Sequence, residues 1–517
     1  MKRNVARASM TVAIIGILSK IMGTIRQSMI AYSFGQSELT DAYNSANKIA
    51  YLTTVILNAS IITVLIPIMD KAKNKGGIQE KNRFFNNIST IIFLSNLVLC
   101  FLTAVAAPLL VDIISPGFEE SLKAITVDLV RIIAPGIIFL GAALCLGAYQ
   151  QSNFIFAPFA AVGVVNNIVF YIYLLLMGKS ASIYGLAVIT TVGAVVQMLF
   201  LLPFMRKQEV SFKPEFNLKD SFAKDSFYIL LPLTLSHFVG QISVLTTNAL
   251  ASMLESGMVT VLNNAYVIFS AIMNLLVMSI STVIFPLLAE AFNKEDHGTI
   301  KSIVEEGTDF FSIILIPASL GIIALATPIT QIIYQRGQFT TLDTEMTKAA
   351  LVGYAIGMLG NGLKIYYNRI FISFQDSVTA FKNTIFNAVV NIILAFLLII
   401  PLNFRGLALA QGIAGILSAG LFAMELKKRI PELRFSKSLK TLMKLIFISI
   451  IMGMIVNRTY LLITSFIGTE NIHALIGCGI SIAIGVLFYL IAIFVFRVES
   501  ALRWKNILKA KLEKRRK

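Results

Sequence analysis

The chain has 517 residues, 56% of them hydrophobic and only 14% charged, with a mean hydropathy of +0.79. A soluble protein carries about 25% charged residues; a soluble fold this apolar would expose aggregating patches, and disorder requires low hydrophobicity. The net charge of +17, from 44 Lys+Arg against 27 Asp+Glu, points in such a chain to basic loops facing anionic lipid rather than to nucleic acid.

A membrane-crossing helix needs about 20 mainly apolar residues. About fourteen such spans follow one another, at 10–33, 45–68, 86–110, 124–149, 157–177, 183–204, 226–249, 260–290, 308–327, 346–374, 379–400, 405–425, 440–464 and 472–497. The expected fold is an all-α polytopic membrane protein. The first stretch, MKRNVARASMTVAIIGILSKIMG, begins like a signal peptide but runs into Lys20 and Arg26 without a small-residue cleavage site, and reads as a retained first span. Lys/Arg gathers after even-numbered spans (Lys71, Lys73, Lys75, Lys81, Arg83; Arg206, Lys207, Lys213, Lys219; Lys427, Lys428, Arg429, Arg434, Lys437) and in the tail KNILKAKLEKRRK. The loops after odd spans, such as QSELTDA and SPGFEESLK, are short and poor in it. The positive-inside rule then puts both termini in the cytoplasm, as an even number of spans requires. Cys100, Cys145 and Cys478 all lie in apolar stretches, so neither a disulfide framework nor a cysteine metal site is expected.

The chain repeats itself. TVLIPIMDKAKNK at 63–75 returns as TVIFPLLAEAFNK at 282–294, and Pro108 and Gly117 of APLLVDIISPGF return as Pro328 and Gly337 of TPITQIIYQRGQF. VVN at 164–166 returns at 389–391, and YGLA at 184–187 returns as RGLA at 405–408. One offset of about 220 residues relates all four pairs and covers six spans, so the two copies point the same way in the membrane. Parallel repeats with a binding site between them are a transporter plan. The expected organisation is an N-lobe at 1–210, a C-lobe at 211–430, an extra helix pair at 431–497 and a basic cytoplasmic tail at 498–517.

No nucleotide-binding loop, H-E-x-x-H, G-x-S-x-G or Cys/His cluster is present, and the loops are too short to house an enzyme's site. The chemistry lies in charges within the spans, which are costly and usually face a pathway. In span 1, Lys20 and Arg26 share a broad polar face. Snorkelling to the membrane surface suits Lys20 better than Arg26, and the planar guanidinium of Arg26 matches phosphate oxygens. Asp41 and Lys48 stand at the entry to span 2, as solvated loop charges or as working ones. Lys364 and Arg369 in span 10 lie on opposite sides of the helix, so only one of them faces a cavity. Asp128 and Arg131 read as a structural pair, and His237 as a packing histidine before a proton relay. Asn383, Asn387 and Asn391 form one polar stripe on span 11, either interhelical glue or a cation coordination set.

SKIMGTIRQSMIAYSFGQSELTDAYNSANK, with SPGF at 115–118, the NNAY stretch followed by TVIFPLLAEAF, YQRGQF at 334–339 and FQDSVTAFK at 374–382, resembles in that order the MurJ/MviN family, the lipid II flippases of bacterial cell-wall synthesis. The resemblance covers nearly the whole chain. It implies the fold of the multidrug/oligosaccharidyl-lipid/polysaccharide exporter superfamily: two lobes around a basic cavity for a pyrophosphate-linked head group, and a groove at spans 13–14 for the polyprenyl tail. It maps an essential-type arginine onto Arg26, a second basic position onto Lys20 and an acidic position onto Asp41. The family's usual arginine pair in span 2 falls here on Thr54 and Val55, and its span 8 arginine on Val267, leaving Lys48, Lys364 or Arg369 to compensate. A sodium site found in some members falls near Thr247, Asn387 and Asn391 without its acidic ligands.

The expected activity is translocation of lipid II across the bacterial cytoplasmic membrane by alternating access. No cofactor is expected, with coupling to the membrane potential or to a monovalent cation. The expected partners are the lipid-linked glycan, membrane lipids and cell-wall synthesis enzymes, with no nucleic acid. Export of another polyprenyl-linked oligosaccharide, or a non-transporting scaffold role, are the alternatives.

Overall fold

The computed structural model describes residues 2–498 apart from 59, 207, 209, 211, 294–296, 375, 434 and 469. The expected tail at 498–517, beyond Val498, lies outside the described residues, as do the side chains of Lys2, Arg3 and Arg7. The described chain forms two compact units: residues 1–263 with 336–339, and residues 264–335 with 340–517. The contact boundary thus falls at Asn263 rather than at the repeat boundary near 210, because the seventh span packs in the first unit.

In the first unit the chain runs through α1 (Lys2–Phe34), α2 (Glu38–Asn58), α3 (Ile61–Val105), α4 (Ala107–Ile114), α5 (Glu120–Ile133), α6 (Gly136–Ser152), α7 (Ala157–Met177), α8 (Ile183–Met205) and α9 (Ser221–Ser252). It ends in the first turns of α10 (Met258–Asn293). Glycine and proline set the breaks. Gly76 and Gly77 leave helical geometry inside α3, with Gly77 at φ 70° and ψ −162°, a region open to glycine alone. This bend lets one 45-residue helix end one span and begin the next. Pro108 sits in the first turn of α4, where its missing N–H costs nothing, and Pro135 precedes α6. The core of this unit gathers Ile61, Leu65, Phe84, Phe85, Leu146, Tyr149 and Leu201 from α3, α6 and α8, all at most 6% exposed.

The second unit continues α10 and holds α11 (His297–Ala324), α12 (Ala326–Tyr334), α13 (Thr341–Ile356), α14 (Met358–Ser373), α15 (Ser377–Leu402), α16 (Phe404–Arg429), α17 (Phe435–Ile467) and α18 (Asn471–Val495). Thr340 and Asp343 form a reciprocal capping box at the start of α13. Asp376 caps α15, accepting from the Thr379 amide at 3.0 Å and hydroxyl at 2.6 Å, and pairs with Arg429 at the end of α16. The Thr379 hydroxyl, its amide and Arg429 hold the Asp376 carboxyl below the ordinary carboxylate range. The extra pair α17–α18 packs on α11 through Leu445, Ile448, Met452 and Tyr489 against Ile316 and Leu320.

Eleven helical segments among the described residues are long and apolar enough to cross a membrane. The fourteen expected spans exceed this by α1, by α2 with the first turns of α3, and by α13 with α14. Those three crossings carry Lys20 and Arg26, Asp41 and Lys48, and Lys364 and Arg369, the same side chains that sequence singles out. A hydropathy count penalises a crossing for the charges it carries.

Candidate functional site

Arg26 lies on the face of α1 that packs against α7. Two α7 side chains fix the register: Asn167 Nδ2 donates to the Ser19 carbonyl at 3.0 Å, and the Tyr171 hydroxyl donates to the Met22 carbonyl at 2.6 Å. Gly163 lets the helices approach, since a Cβ there would sit 2.2 Å from Ser19 Oγ. The guanidinium so placed lies over the Phe170 ring, 4.6 Å from its centroid, a cation–π contact. Tyr43 of α2 and Tyr171 of α7 stand near it. Tyr43 is itself tied to Thr190 at 2.9 Å. The Arg26 Nε is buried with no hydrogen-bond partner, and no carboxylate pairs with this arginine among the described residues. Aromatic faces soften the desolvation of a cation but accept none of its N–H bonds, so the cage keeps donors for an anion. At about 4 Å and an effective dielectric of about 20, such an anion gains about 4 kcal/mol. Lys20 stands apart, exposed on α1.

Asp41, in the first turn of α2, is not a loop charge. It is 3% exposed, and its carboxylate accepts from the Gly257 amide at 2.7 Å, the Thr260 amide at 2.7 Å and the Thr260 hydroxyl at 2.6 Å. These amides open α10, so Asp41 acts as that helix's N-terminal acceptor from another helix, where a negative charge is favoured. Asn44, one turn on, donates to Thr260 Oγ1 at 3.0 Å and accepts from Asn263 Nδ2 at 3.3 Å. Lys48, one turn further, donates to Asn248 Oδ1 on α9 at 2.7 Å, and Asn248 donates in turn to the Ile114 carbonyl at 2.9 Å. The two motifs SPGF and YQRGQF close the same end. Gly117 meets the carbonyl of Ser252 at the end of α9, and Gly337, at φ 63°, meets that of Tyr32 at the end of α1, where a Cβ would stand 2.3 and 2.4 Å away. Sequence reasoning missed Thr260 and Asn248. A signal existed for Thr260, which lies one repeat length from Asp41.

Thr54 and Val55, at the places of the family's arginine pair, carry no donor outward: Thr54 Oγ1 bonds back to the Ala50 carbonyl at 2.8 Å and Val55 is 6% exposed. Thr54 lines a mainly apolar cavity of about 310 Å³ in the first unit, with Asn47, Tyr51, Thr190 and Gln197.

In the second unit, Lys364 on α14 donates to Asn387 Oδ1 on α15 at 3.2 Å, whereas Arg369 is exposed on another face. The asparagine stripe divides its work. Asn383 exchanges hydrogen bonds with Ser418 of α16, Asn387 meets Lys364, and Asn391 is buried at 4% exposure. Thr247 Oγ1 bonds back to the Ser243 carbonyl within α9 at 2.9 Å. Asp128 and Arg131 pair at 3.8 Å, both half exposed. His237 is exposed on α9 rather than packed inside, since the apolar helix turns that face outward. An apolar cleft of about 650 Å³ lies between α11, α14, α16 and α17, lined by Leu320, Leu359, Leu363, Ile416 and Leu442, with Ser312 and Tyr367 among its few polar side chains. No group of three or more acidic, histidine or cysteine side chains poised for a metal occurs among the described residues.

The crossings and the internal repeat give the plan of a multi-pass α-helical membrane transporter. The model of one family, described as lipid II flippase MurJ, matches residues 30–467, and the chain belongs to that family. A probable lipid II flippase MurJ of Rickettsia prowazekii is 28% identical over 421 residues, 80% of this chain and 82% of that protein. The lipid II flippase MurJ of Burkholderia cenocepacia is 25% identical over 82% and 84% of the two chains. A solved structure of a lipid II flippase MurJ in an inward closed conformation superposes at TM-score 0.77, with 24% identity, over 94% of this chain and 98% of that one. An inward-facing multidrug transporter of the MATE family superposes at 0.69 with 13% identity, over 81% of this chain and 98% of that one.

Proposed function

We propose that the chain translocates lipid II, the undecaprenyl-pyrophosphate-linked muropeptide, from the inner to the outer leaflet of the bacterial cytoplasmic membrane by alternating access. Both termini lie in the cytoplasm in this reading, as the basic loops require. The observation that carries it, beside family membership, is the Arg26 cage: a guanidinium on an aromatic face with a buried, unused Nε and, among the described residues, no carboxylate. Arg26 takes the pyrophosphate, and Lys20 supplies a second positive charge along α1. Asp41 holds the outward-side end closed through the α10 amides until the cargo is seated. The cleft of about 650 Å³ beside α17 takes a stretch of the polyprenyl tail. The negative cargo couples to a membrane potential negative inside. Cell-wall synthesis enzymes that make or consume lipid II are the partners this cargo implies.

The experiment is complementation of a lipid II flippase depletion strain, scoring outer-leaflet lipid II with growth. Wild type rescues, whereas Arg26→Ala inserts normally and does not. Normal growth of Arg26→Ala would remove the role given to the cage. Thr54 and Val55 favour a second reading, export of another polyprenyl-linked oligosaccharide. Rescue of a capsule-export mutant, with no rescue of lipid II depletion, would select it.

A further inference from the structure

Lys364 and Asn387 form a polar pair deep in the second unit. Lys364 lies nine residues before Ser373, the end of α14, and Asn387 ten after Ser377, the start of α15. At 1.5 Å per residue, both stand about 14–15 Å from their helix ends, near the middle of a core about 30 Å thick. The four methylenes of a lysine cannot reach the membrane surface from there. Among the described residues the ammonium's one hydrogen bond is to Asn387 Oδ1 at 3.2 Å, and no carboxylate pairs with it. Asn387 Nδ2 is buried with no acceptor. Asn387's oxygen faces the ammonium, and what the two side chains leave unused is N–H donors: two on Lys364 and the amide of Asn387.

We propose that Lys364 and Asn387 bind a phosphate or carboxylate oxyanion within the membrane-spanning part of the second unit. The ammonium supplies charge and two free N–H groups, and the amide supplies a directed third donor. A metal cation approaching Asn387 Oδ1 meets the ammonium at hydrogen-bond distance and is repelled, so the asparagine stripe here serves an anion rather than a cation. Lys364 keeps partial exposure, so the donors are not sealed off. The Arg26 cage belongs to the other unit, and the site does not need it.

The test uses the full chain in phosphatidylcholine nanodiscs, in the Arg26→Ala background so that the first cage contributes nothing. Inorganic pyrophosphate is titrated against sodium chloride at equal ionic strength while the thermal midpoint is followed; a ligand that binds the folded state raises it. The midpoint rises saturably, and the half-effect concentration shifts about tenfold upward in Lys364→Met and in Asn387→Ala, the size expected for losing one charge-assisted contact. Lys364→Arg retains binding. Lys364→Met removes a charge with no carboxylate partner from within a span and is expected to fold at least as well, so an unchanged titration in it overturns the proposal. A sodium-dependent rise that Asn387→Ala abolishes also overturns it, in favour of a cation.

Proteoliposomes then separate the sources of the oxyanion. If the cargo supplies it, Lys364→Met raises the half-saturating lipid II about tenfold regardless of added phosphate. If a free anion supplies it, added inorganic phosphate speeds the wild type and leaves Lys364→Met unmoved. Only this arm rests on the flippase reading: a wild type that moves no lipid II yet binds pyrophosphate through Lys364 removes that reading and keeps the site.

Discussion

Asp41 shows what a single carboxylate does when its surroundings are built for it. A lone buried carboxylate costs several kcal/mol, yet Asp41 accepts three short hydrogen bonds from Gly257 and Thr260, each worth about 1.5–3 kcal/mol when the acceptor is charged. Asp41→Ala leaves two α10 amides without their acceptor and is expected to cost about 2 kcal/mol, read as a lower thermal midpoint of the purified chain. Thr260→Val, which spares the amides, costs less; an equal loss in both would mean that the hydroxyl, not the helix end, is what Asp41 holds. At this scale sequence identifies the side chains and not their partners. Arg26, Asp41, Lys48 and Lys364 stand out because charge inside a span is expensive. Lys48 meets Asn248 200 residues away, and no spacing in the chain announces that.

Helices and their breaks differ in legibility for a physical reason. Apolar stretches of about 20 residues identify crossings, because membrane thickness fixes their length. Bends inside them depend on one or two backbone angles. The KNKGG stretch reads as a loop, yet it lies within α3 as a bend carried by Gly76 and Gly77. Two glycines separate the costs. Gly77 at φ 70° has open space around its absent Cβ, whereas Gly337 at φ 63° has the Tyr32 carbonyl 2.4 Å from it. Gly77→Ala is expected to cost about 1–2 kcal/mol from backbone strain alone. Gly337→Ala carries that strain and a clash in addition, so its thermal midpoint falls further. Equal losses would mean that the loop at 336–339 moves aside and that its close approach is not needed.

Over the whole molecule, the repeat read from four short matches reappears as contacts of different chemistry. In the first unit Lys81, fully buried, donates to Asn153 at 2.6 Å, and Asn153 donates to Gln208 at 2.8 Å. At corresponding places in the second unit, Asp376 pairs with Arg429 and Lys301 with Glu432. One clasp sets a lysine against neutral amides and the other pairs opposite charges. Asp376 is held below its unfolded value of about 3.9, so its contribution is present above that value and is lost as pH falls through the folded one. The gap in thermal midpoint between wild type and Asp376→Asn is expected to hold steady above about pH 5 and close below about pH 4. A gap that does not narrow at all as pH falls would mean that the carboxylate's charge is not what supplies the stability. The assignment of compact units was not legible, because α9 and the loop at 336–339 join the first unit by packing that no local pattern encodes.

Two hydrogen bonds near the start of α10 join residues 219 apart, Asp41 to Thr260 and Asn44 to Asn263, and that separation is the repeat length itself. Each position therefore touches its own counterpart, as in a twofold homodimer, where the same surface faces itself. A true dimer would have to place the same side chain at both ends of such a contact, and two aspartates would then repel across it. Joining the copies in one polypeptide lifts that constraint: one copy keeps the acid, the other offers a hydroxyl and two amides, and a self-contact becomes a donor–acceptor pair open to only one of the two partners.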